Sequence, residues 1–158
     1  MNNEDRVNRD VMLEAKRHTF AITTEYLHER YICPKRGSNM SKIMLVDDAP
    51  ADLKMMESIL KQANHQVITC LNGEGAEEMI TSEKPDLLML DIVMPQRNGY
   101  EILRKVRRDP ASRDLPVIVV SSKGQESDIL WGKRQGASDY IVKPYTPERV
   151  LEAVGGVL

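Results

Sequence analysis

Residues 42–50 read KIMLVDDAP, and their pattern predicts a buried strand that is followed directly by two aspartates. The apolar run at 43–46 is continuous rather than alternating, which is typical of a parallel strand buried on both faces. Pro50 can begin a helix, because the first turn of a helix does not use the N–H that proline lacks. The stretch therefore predicts a strand, a loop and a helix in that order, with Asp47 and Asp48 at the carboxyl end of the strand.

The same strand and helix unit recurs along the rest of the chain. Short apolar runs predict strands over 42–46, 86–90, 116–120 and 139–142, and the regular alternation predicts a further strand over 66–70. The spacing of apolar residues predicts a helix after each strand, near 50–63, 75–83, 99–108, 124–135 and 147–154. The pair Gly155-Gly156 is predicted to end the last helix. Together these units predict an α/β fold with one parallel sheet, helices on both faces and right-handed crossovers.

The first 39 residues have a different composition. Residues 4–31 are highly charged with a weak apolar stripe, which predicts one or two helices, and residues 33–39 read CPKRGSN, which indicates a linker. The predicted division is an N-terminal extension and linker over 1–39 and a compact domain over 40–158. Two interpretations stay open: Met40 is a start site and the extension is marginal, or the extension docks a partner.

Composition argues against several functional classes. A net charge of -2 gives no electrostatic case for binding nucleic acid or an anionic membrane, and one Trp and one Phe leave few rings for base stacking. No apolar run approaches the roughly 18 residues of a membrane span, and no signal peptide is visible. Cys33 and Cys70 stand alone in the sequence, so we interpret them as reduced thiols. These observations predict a cytoplasmic protein without membrane insertion.

Acidic residues follow two of the predicted strands. If strands 42–46 and 86–90 are neighbours, Asp47, Asp48 and Asp91 lie within a few ångströms at the edge where open α/β sheets bind ligands. Carboxylates packed so closely repel one another unless a cation joins them, and ligands that are all oxygen suit Mg²⁺ better than zinc. The alternative is that Asp47 and Asp48 only cap the helix at Pro50. Asp91, at the end of a second strand, favours the Mg²⁺ site.

Asp91 is also the candidate nucleophile. A carboxylate can attack phosphorus in line, giving an aspartyl phosphate, when a metal offsets the charge. Lys143, after strand 139–142, can supply a positive charge to a phosphoryl oxygen, and Ser121, after strand 116–120, can donate its hydroxyl. Each has an ordinary alternative, since a lone lysine commonly forms a simple ion pair and serine often ends a strand.

Two other signals carry less weight. Residues 72–75, Asn-Gly-Glu-Gly, hold the first two glycines of a dinucleotide fingerprint, but Glu78 occupies the third position, which favours a plain turn and no nucleotide cofactor. Gly132, beside Trp131 in the helix at 124–135, costs about 1 kcal/mol relative to alanine. Either this lets the helix shift, or the glycine is tolerated beside a partly buried tryptophan.

Residues 41–158 resemble the receiver domain of two-component response regulators. The resemblance rests on the order and spacing of Asp47-Asp48, Asp91 with Met94-Pro95 and Gly99, Ser121, and Tyr140 three residues before Lys143-Pro144. It implies a flavodoxin-like sheet of order 2-1-3-4-5, as in chemotaxis-type receivers. Residues 130–140 also resemble the single-domain regulators of type IV pilus twitching motility, the PilH type, which implies a role in motility or chemotaxis-type signalling.

The resemblance implies the chemistry of the site. Asp91 would accept a phosphoryl group from a histidine kinase or a histidine phosphotransfer protein. Mg²⁺ would be held by Asp48, Asp91 and the backbone carbonyl of Val93, with Asp47 acting through water. Lys143 and Ser121 would bind the phosphoryl oxygens. The protein would then be a phosphorylation switch with limited self-phosphorylation and self-dephosphorylation, rather than an enzyme.

The resemblance also implies how the switch is transmitted. Ser121 and Tyr140 would be the switch residues, with Tyr140 swinging inward on activation, and the Lys143-Pro144 bond would be cis. The face formed by 124–135, 139–142 and 147–154 would bind a downstream protein. The aliphatic Val93 lies beside the route of an attacking water, so we expect it to slow loss of the phosphoryl group.

Three alternatives compete with this interpretation. A phosphatase of the haloacid-dehalogenase type shares the Asp91 nucleophile but requires an aspartate where this chain has Val93. A flavin-binding electron carrier shares the fold but requires a Ser/Thr-rich phosphate loop after the first strand, where this chain has Asp-Asp-Ala-Pro. A degenerate receiver that only binds partners would not need the full acidic, hydroxyl and lysine set.

Overall fold

The structure is a computed structural model, and it describes residues 40–158. The predicted helical extension, the linker at 33–39 and Cys33 lie outside the described residues, so the division of the chain at residue 39 stays a prediction. Within the described range, no helix is long and apolar enough to cross a membrane.

Five parallel strands and five helices alternate strictly along the described range. The strands are β1 Lys42–Asp47, β2 Gln66–Leu71, β3 Leu87–Asp91, β4 Val117–Ser121 and β5 Asp139–Val142. The helices are α1 Pro50–Gln62, α2 Ala76–Glu83, α3 Gly99–Arg108, α4 Glu126–Arg134 and α5 Pro147–Val157. The sheet has the order β2-β1-β3-β4-β5, which confirms the predicted flavodoxin-like topology.

The sheet separates two apolar cores. Because side chains alternate along a strand, Ile43 and Leu45 point to one face of β1 while Met44 and Val46 point to the other. On the first face they pack with residues of α1 and α5, including Leu53, Leu60, Val150 and Val154. On the second face they pack with residues of α2 and α3, including Ile80, Ile102, Leu103 and Val106. Burial on both faces explains the continuous apolar runs in the sequence.

Register brings the carboxyl ends of the inner strands into line. Val46 pairs with Leu90 between β1 and β3, Asp91 pairs with Val120 between β3 and β4, and Ser121 pairs with Val142 between β4 and β5. Asp47, Asp91 and Ser121 are therefore the last residues of their strands, one position further than the predicted strand ends. The sheet itself, rather than a loose loop, fixes their backbones.

The predicted start of α4 and the predicted end of α5 are wrong. Helix α4 begins at Glu126 rather than 124, because Gln125 precedes it as an extended cap whose N–H donates to the Asp128 carboxylate at 3.2 Å. Helix α5 continues through Gly155-Gly156 to Val157. Neither glycine has a positive φ, so neither forms the left-handed turn that ends many helices.

Gly132 has a packing role that composition alone did not show. A Cβ placed on it would lie 2.8 Å from Cδ2 and 2.9 Å from Cε2 of Tyr140. Tyr140 is a buried residue of β5, and its ring fills the space beside the glycine. The adjacent Trp131 is half exposed rather than packed in the core. Gly132 therefore lets α4 lie directly against the ring of Tyr140.

We expect Gly132→Ala to lower the free energy of unfolding, measured by urea denaturation. Overpacking a buried site typically costs about 1–3 kcal/mol, which exceeds the gain of about 1 kcal/mol in helix propensity. Gly155→Ala is the matched control, since a Cβ there would meet nothing within 4 Å. The control should be stabilised by up to about 1 kcal/mol. Equal stabilisation of both variants would contradict the packing role of Gly132.

Candidate functional site

The functional residues lie at the carboxyl edge of the sheet, on strand ends that register has aligned. Asp47 and Asp91 are only 8% and 5% exposed, and Ser121 is fully buried. Lys143 follows β5 and reaches back across the edge toward β1 and β3. Hydrogen bonds bring Asp47, Asp91 and Lys143 together as predicted, and Ser121 ends the neighbouring strand β4.

The ammonium group of Lys143 is the centre of this cluster. Its Nζ donates hydrogen bonds to Oδ2 of Asp47 at 2.7 Å, of Asp52 at 2.8 Å and of Asp91 at 2.9 Å. Burial lowers the pKa of Lys143, but the three carboxylates outweigh burial and raise the pKa above its ordinary value. Lys143 therefore remains a cation that joins β5 to β1, β3 and α1.

Asp52 is the site residue that the sequence reasoning missed. It lies in the first turn of α1, where an acidic residue is usually explained by its favourable interaction with the helix dipole. The only signal in the sequence was its position one turn after the Asp47-Asp48 pair, at the beginning of a helix that starts at the same edge. Its bond to Lys143 depends on a contact between residues 91 positions apart, which local patterns do not show.

Both buried carboxylates are held at their other oxygen by the backbone. Oδ1 of Asp91 accepts from the N–H of Val93 at 2.8 Å, and Oδ1 of Asp47 accepts from the N–H of Ala49 at 2.8 Å. Ala49 is the N-cap of α1 and has no side-chain capping bond. Asp47 therefore orders the turn before the helix and also contacts Lys143, so capping alone does not explain it.

A carboxylate cluster suited to a hard cation lies beside Lys143. Carboxylate oxygens of Asp47, Asp48 and Asp91 lie within 4.8 Å of one another. The Lys143 ammonium contacts three carboxylates, and Asp48 lies beside two of them, so these described residues retain an excess of negative charge. An all-oxygen donor set with this charge fits Mg²⁺, a hard cation bound in proteins through carboxylates and water.

The loop after Asp91 is folded tightly against β3. The N–H of Gly99 donates to the carbonyl of Ile92 at 3.1 Å, and a Cβ on Gly99 would lie 2.1 Å from the carbonyl oxygen of Asp91. No other residue fits there without displacing the backbone of Asp91. The glycine that was part of the sequence motif therefore brings the start of α3 against the candidate nucleophile.

A chain of hydrogen bonds connects Ser121 to Tyr140. The Ser121 hydroxyl accepts from the N–H of Lys123 at 3.2 Å, and the Lys123 carbonyl accepts from the Tyr140 hydroxyl at 2.8 Å. Burial raises the pKa of the Tyr140 phenol, so it stays a proton donor at neutral pH. The ring already lies inward here, so the predicted inward swing of Tyr140 stays a prediction.

The structure also describes four other features that the sequence singled out: the bond before Pro144, residues 72–75, Cys70 and Val93. The Lys143-Pro144 peptide bond is cis, as the resemblance implied. Residues 72–75 form a turn that leads into α2. Cys70 is a free, buried thiol. Val93 has an exposed side chain next to the site, and its role as a carbonyl ligand stays a prediction.

Comparison with known sequences gives a family match and related proteins. The model described as the response regulator receiver domain matches residues 43–155. Protein PilH of Pseudomonas aeruginosa is 40% identical over 119 residues, which cover 75% of this chain and 98% of PilH. The phosphate regulon transcriptional regulatory protein PhoB of the same species is 34% identical over 116 residues, which cover 73% of this chain and 51% of PhoB.

Solved structures agree with this match. The Vibrio cholerae chemotaxis protein CheY4 is similar with a TM-score of 0.71 and 28% identity, covering 75% of this chain and 99% of that chain. The BeF3-activated N-terminal receiver domain of Klebsiella pneumoniae RstA has a TM-score of 0.67 and 30% identity, covering 73% of this chain and 97% of that chain. The sequence, the sheet order and the geometry of the site therefore agree, and the chain belongs to the response regulator receiver domain family.

Proposed function

We propose that the chain is a phosphorylation-controlled signalling switch in which Asp91 accepts a phosphoryl group from a histidine kinase or a histidine phosphotransfer protein. The observation that carries the proposal is the position of Asp91. Its carboxylate is buried, held by Lys143 at one oxygen and by the Val93 N–H at the other. A carboxylate oriented on both sides in this way is prepared for in-line attack.

Asp91, Lys143 and Ser121 have different roles in the transfer of the phosphoryl group. A bond forms from a carboxylate oxygen of Asp91 to phosphorus while the bond from phosphorus to the donor histidine nitrogen breaks, and that nitrogen keeps the electron pair. Lys143 turns its ammonium toward a phosphoryl oxygen while Asp47 and Asp52 keep it in place. Ser121 donates its hydroxyl to another phosphoryl oxygen. Each contact stabilises negative charge that is delivered to the site.

Asp48, Asp91 and the Val93 carbonyl would hold Mg²⁺, with Asp47 acting through water. When bound, the ion offsets the charge that the carboxylate cluster and the phosphoryl group bring together. The carboxylates that lie within 4.8 Å of one another support this assignment.

Transmission would run through Tyr140 to a protein-binding face. A Ser121 hydroxyl that moves to donate to the phosphoryl group would shift the bond that it accepts from the Lys123 N–H, and with it the Lys123 carbonyl that accepts from the Tyr140 hydroxyl. The face formed by α4, β5 and α5 exposes Leu130 and Trp131 on α4. The extent of the match to PilH and the likeness to CheY4 support a role in motility or chemotaxis-type signalling, as a switch rather than an enzyme.

Phosphorylation is tested by intact-mass measurement after incubation with acetyl phosphate. We expect a gain of one phosphoryl group with Mg²⁺, none with EDTA and none in Asp91→Ala. Asp114→Ala is the control, because Asp114 is an exposed aspartate outside the site. A wild-type chain that gains no mass, or an Asp91→Ala chain that still does, would contradict the proposal.

The Mg²⁺ assignment is tested by thermal unfolding of Asp48→Asn. In EDTA the variant should melt above the wild type, because removing one carboxylate reduces the repulsion within the cluster. Mg²⁺ at a hundred times its dissociation constant should stabilise the wild type by about 2.7 kcal/mol and the variant by much less. The control is Asp114→Asn, which should behave as the wild type. An equal Mg²⁺ shift in Asp48→Asn would remove Asp48 from the ligand set.

Val93 is expected to limit hydrolysis of the phosphorylated form. In Val93→Asn, an amide that can orient water replaces an apolar side chain that is 44% exposed. The first-order decay of phosphorylated protein, followed by intact mass after removal of the donor, should become several-fold faster. Val93→Leu keeps the apolar character and should decay no faster than the wild type. An unchanged rate in Val93→Asn would reject the role of Val93.

A further inference from the structure

The loop between β3 and α3 makes an ion pair that the proposed mechanism does not use. Arg97, six residues after Asp91, donates from Nη1 to Oε2 of Glu77 at 2.9 Å and from Nη2 to the other oxygen of the same carboxylate. Its Nη1 also donates to the carbonyl of Gly73 at 2.9 Å. Both charged side chains are largely shielded, at 21% and 26% exposed, and the paired geometry is the strong, directional kind.

The turn that Arg97 reaches is itself attached to the strand of the acidic pair. The N–H of Asn72 donates to the carbonyl of Asp47 at 3.1 Å, and Gly73 is the next residue. Met94 of the Asp91 loop packs against the same turn, since a Cβ on Gly73 would lie 3.2 Å from Met94 Cε. Arg97 therefore closes a ring of contacts that runs from Asp47 through the turn and back to Asp91.

This ring acts on the part of the loop that orients Asp91. The loop supplies the Val93 N–H that holds Oδ1 of Asp91, and the Gly99 contact fixes its end beside β3. Between those two points, Met94 packs against the turn, and Arg97 hydrogen-bonds to the turn at Gly73 and to the helix that follows it at Glu77. Loss of the Arg97 hydrogen bonds would let the loop move and would weaken the bond from the Val93 N–H to the Asp91 carboxylate.

We propose that Arg97 is a positioning residue for phosphorylation: its guanidinium holds the loop after Asp91 against the turn at Asn72–Gly73, and so keeps the Asp91 carboxylate aligned with Asp47. This inference rests on the proposed function of Asp91. Glu77 is also needed, because its carboxylate holds the Arg97 guanidinium in the orientation that reaches the Gly73 carbonyl.

The test is the rate of Asp91 phosphorylation by acetyl phosphate in saturating Mg²⁺, measured across donor concentrations. A misplaced reacting group lowers the rate of reaction, so Arg97→Met should reduce the maximum rate by about five- to tenfold. The donor concentration at half-maximal rate should change little, because Arg97 does not contact the donor site. Glu77→Gln should be slowed in the same direction, and the double variant should be no slower than Arg97→Met.

Two further variants show whether the rate depends on the geometry of the Arg97 hydrogen bonds or only on the positive charge near Glu77. Lys105 Nζ lies 3.3 Å from the same Glu77 carboxylate, from a side chain that is 64% exposed on α3. Lys105→Met removes a positive charge near Glu77 but leaves the bonds from Arg97 to Glu77 and Gly73 in place, so it should keep the wild-type rate. Arg97→Lys keeps the charge but loses the paired geometry, so its rate should fall between those of the wild type and Arg97→Met. It also serves if Arg97→Met folds poorly.

The outcomes are distinct. A wild-type rate in Arg97→Met, or an equal loss in Lys105→Met, would overturn the positioning role while leaving Asp91 as phosphoacceptor. A wild-type chain that is not phosphorylated at all would instead contradict the proposed function.

Discussion

The structure of the site depends on the hydrogen bonds that Lys143 makes with three carboxylates. Asp47, Asp52 and Asp91 come from two strands and a helix, and their charges would repel one another if the ammonium were removed. Burying a lysine is costly by itself, yet the three acceptors more than compensate and raise its pKa. The remaining excess of negative charge supports the proposal that the cluster holds a divalent cation. A phosphoryl group on Asp91 would compete for the same ammonium, so arrival of the group must rearrange these contacts.

The sheet supplies the rigidity that this arrangement needs. Because β1, β3 and β4 are buried on both faces, their carboxyl ends are held in fixed register, and Asp47, Asp91 and Ser121 are paired residues of the sheet. Loops follow each of these strand ends. Gly99 closes one of them against the Asp91 backbone, and Gly132 opens a space for the Tyr140 ring in a helix that would otherwise exclude it. The same strand ends therefore carry both the fixed carboxylates and the elements that can respond to them.

The strands, the sheet and most of the site residues were predictable from the sequence, because short local patterns of apolar and polar residues indicate them. Continuous apolar runs predicted β1, β3, β4 and β5, and the regular alternation of strands with helices predicted β2 and the sheet confirmed here. The strand ends predicted Asp47, Asp48, Asp91 and Lys143 as one cluster. Contacts through space were not predictable in this way: Asp52 joins Lys143 across the sheet, Arg97 joins Glu77 between a loop and α2, and Gly132 contacts Tyr140 between α4 and β5. The end of α5 was misplaced because glycine permits a helix to end but does not require it.

We propose that Asp91 itself carries the phosphoryl group, although three other carboxylates, of Asp47, Asp48 and Asp52, lie nearby. The most direct measurement is reduction of the phosphorylated chain with sodium borohydride, which converts an aspartyl phosphate to homoserine, followed by peptide sequencing in a mass spectrometer. We expect homoserine at position 91 alone, and only in protein that was incubated with phosphodonor and Mg²⁺. Homoserine at position 47, 48 or 52, or at none of them, would contradict it.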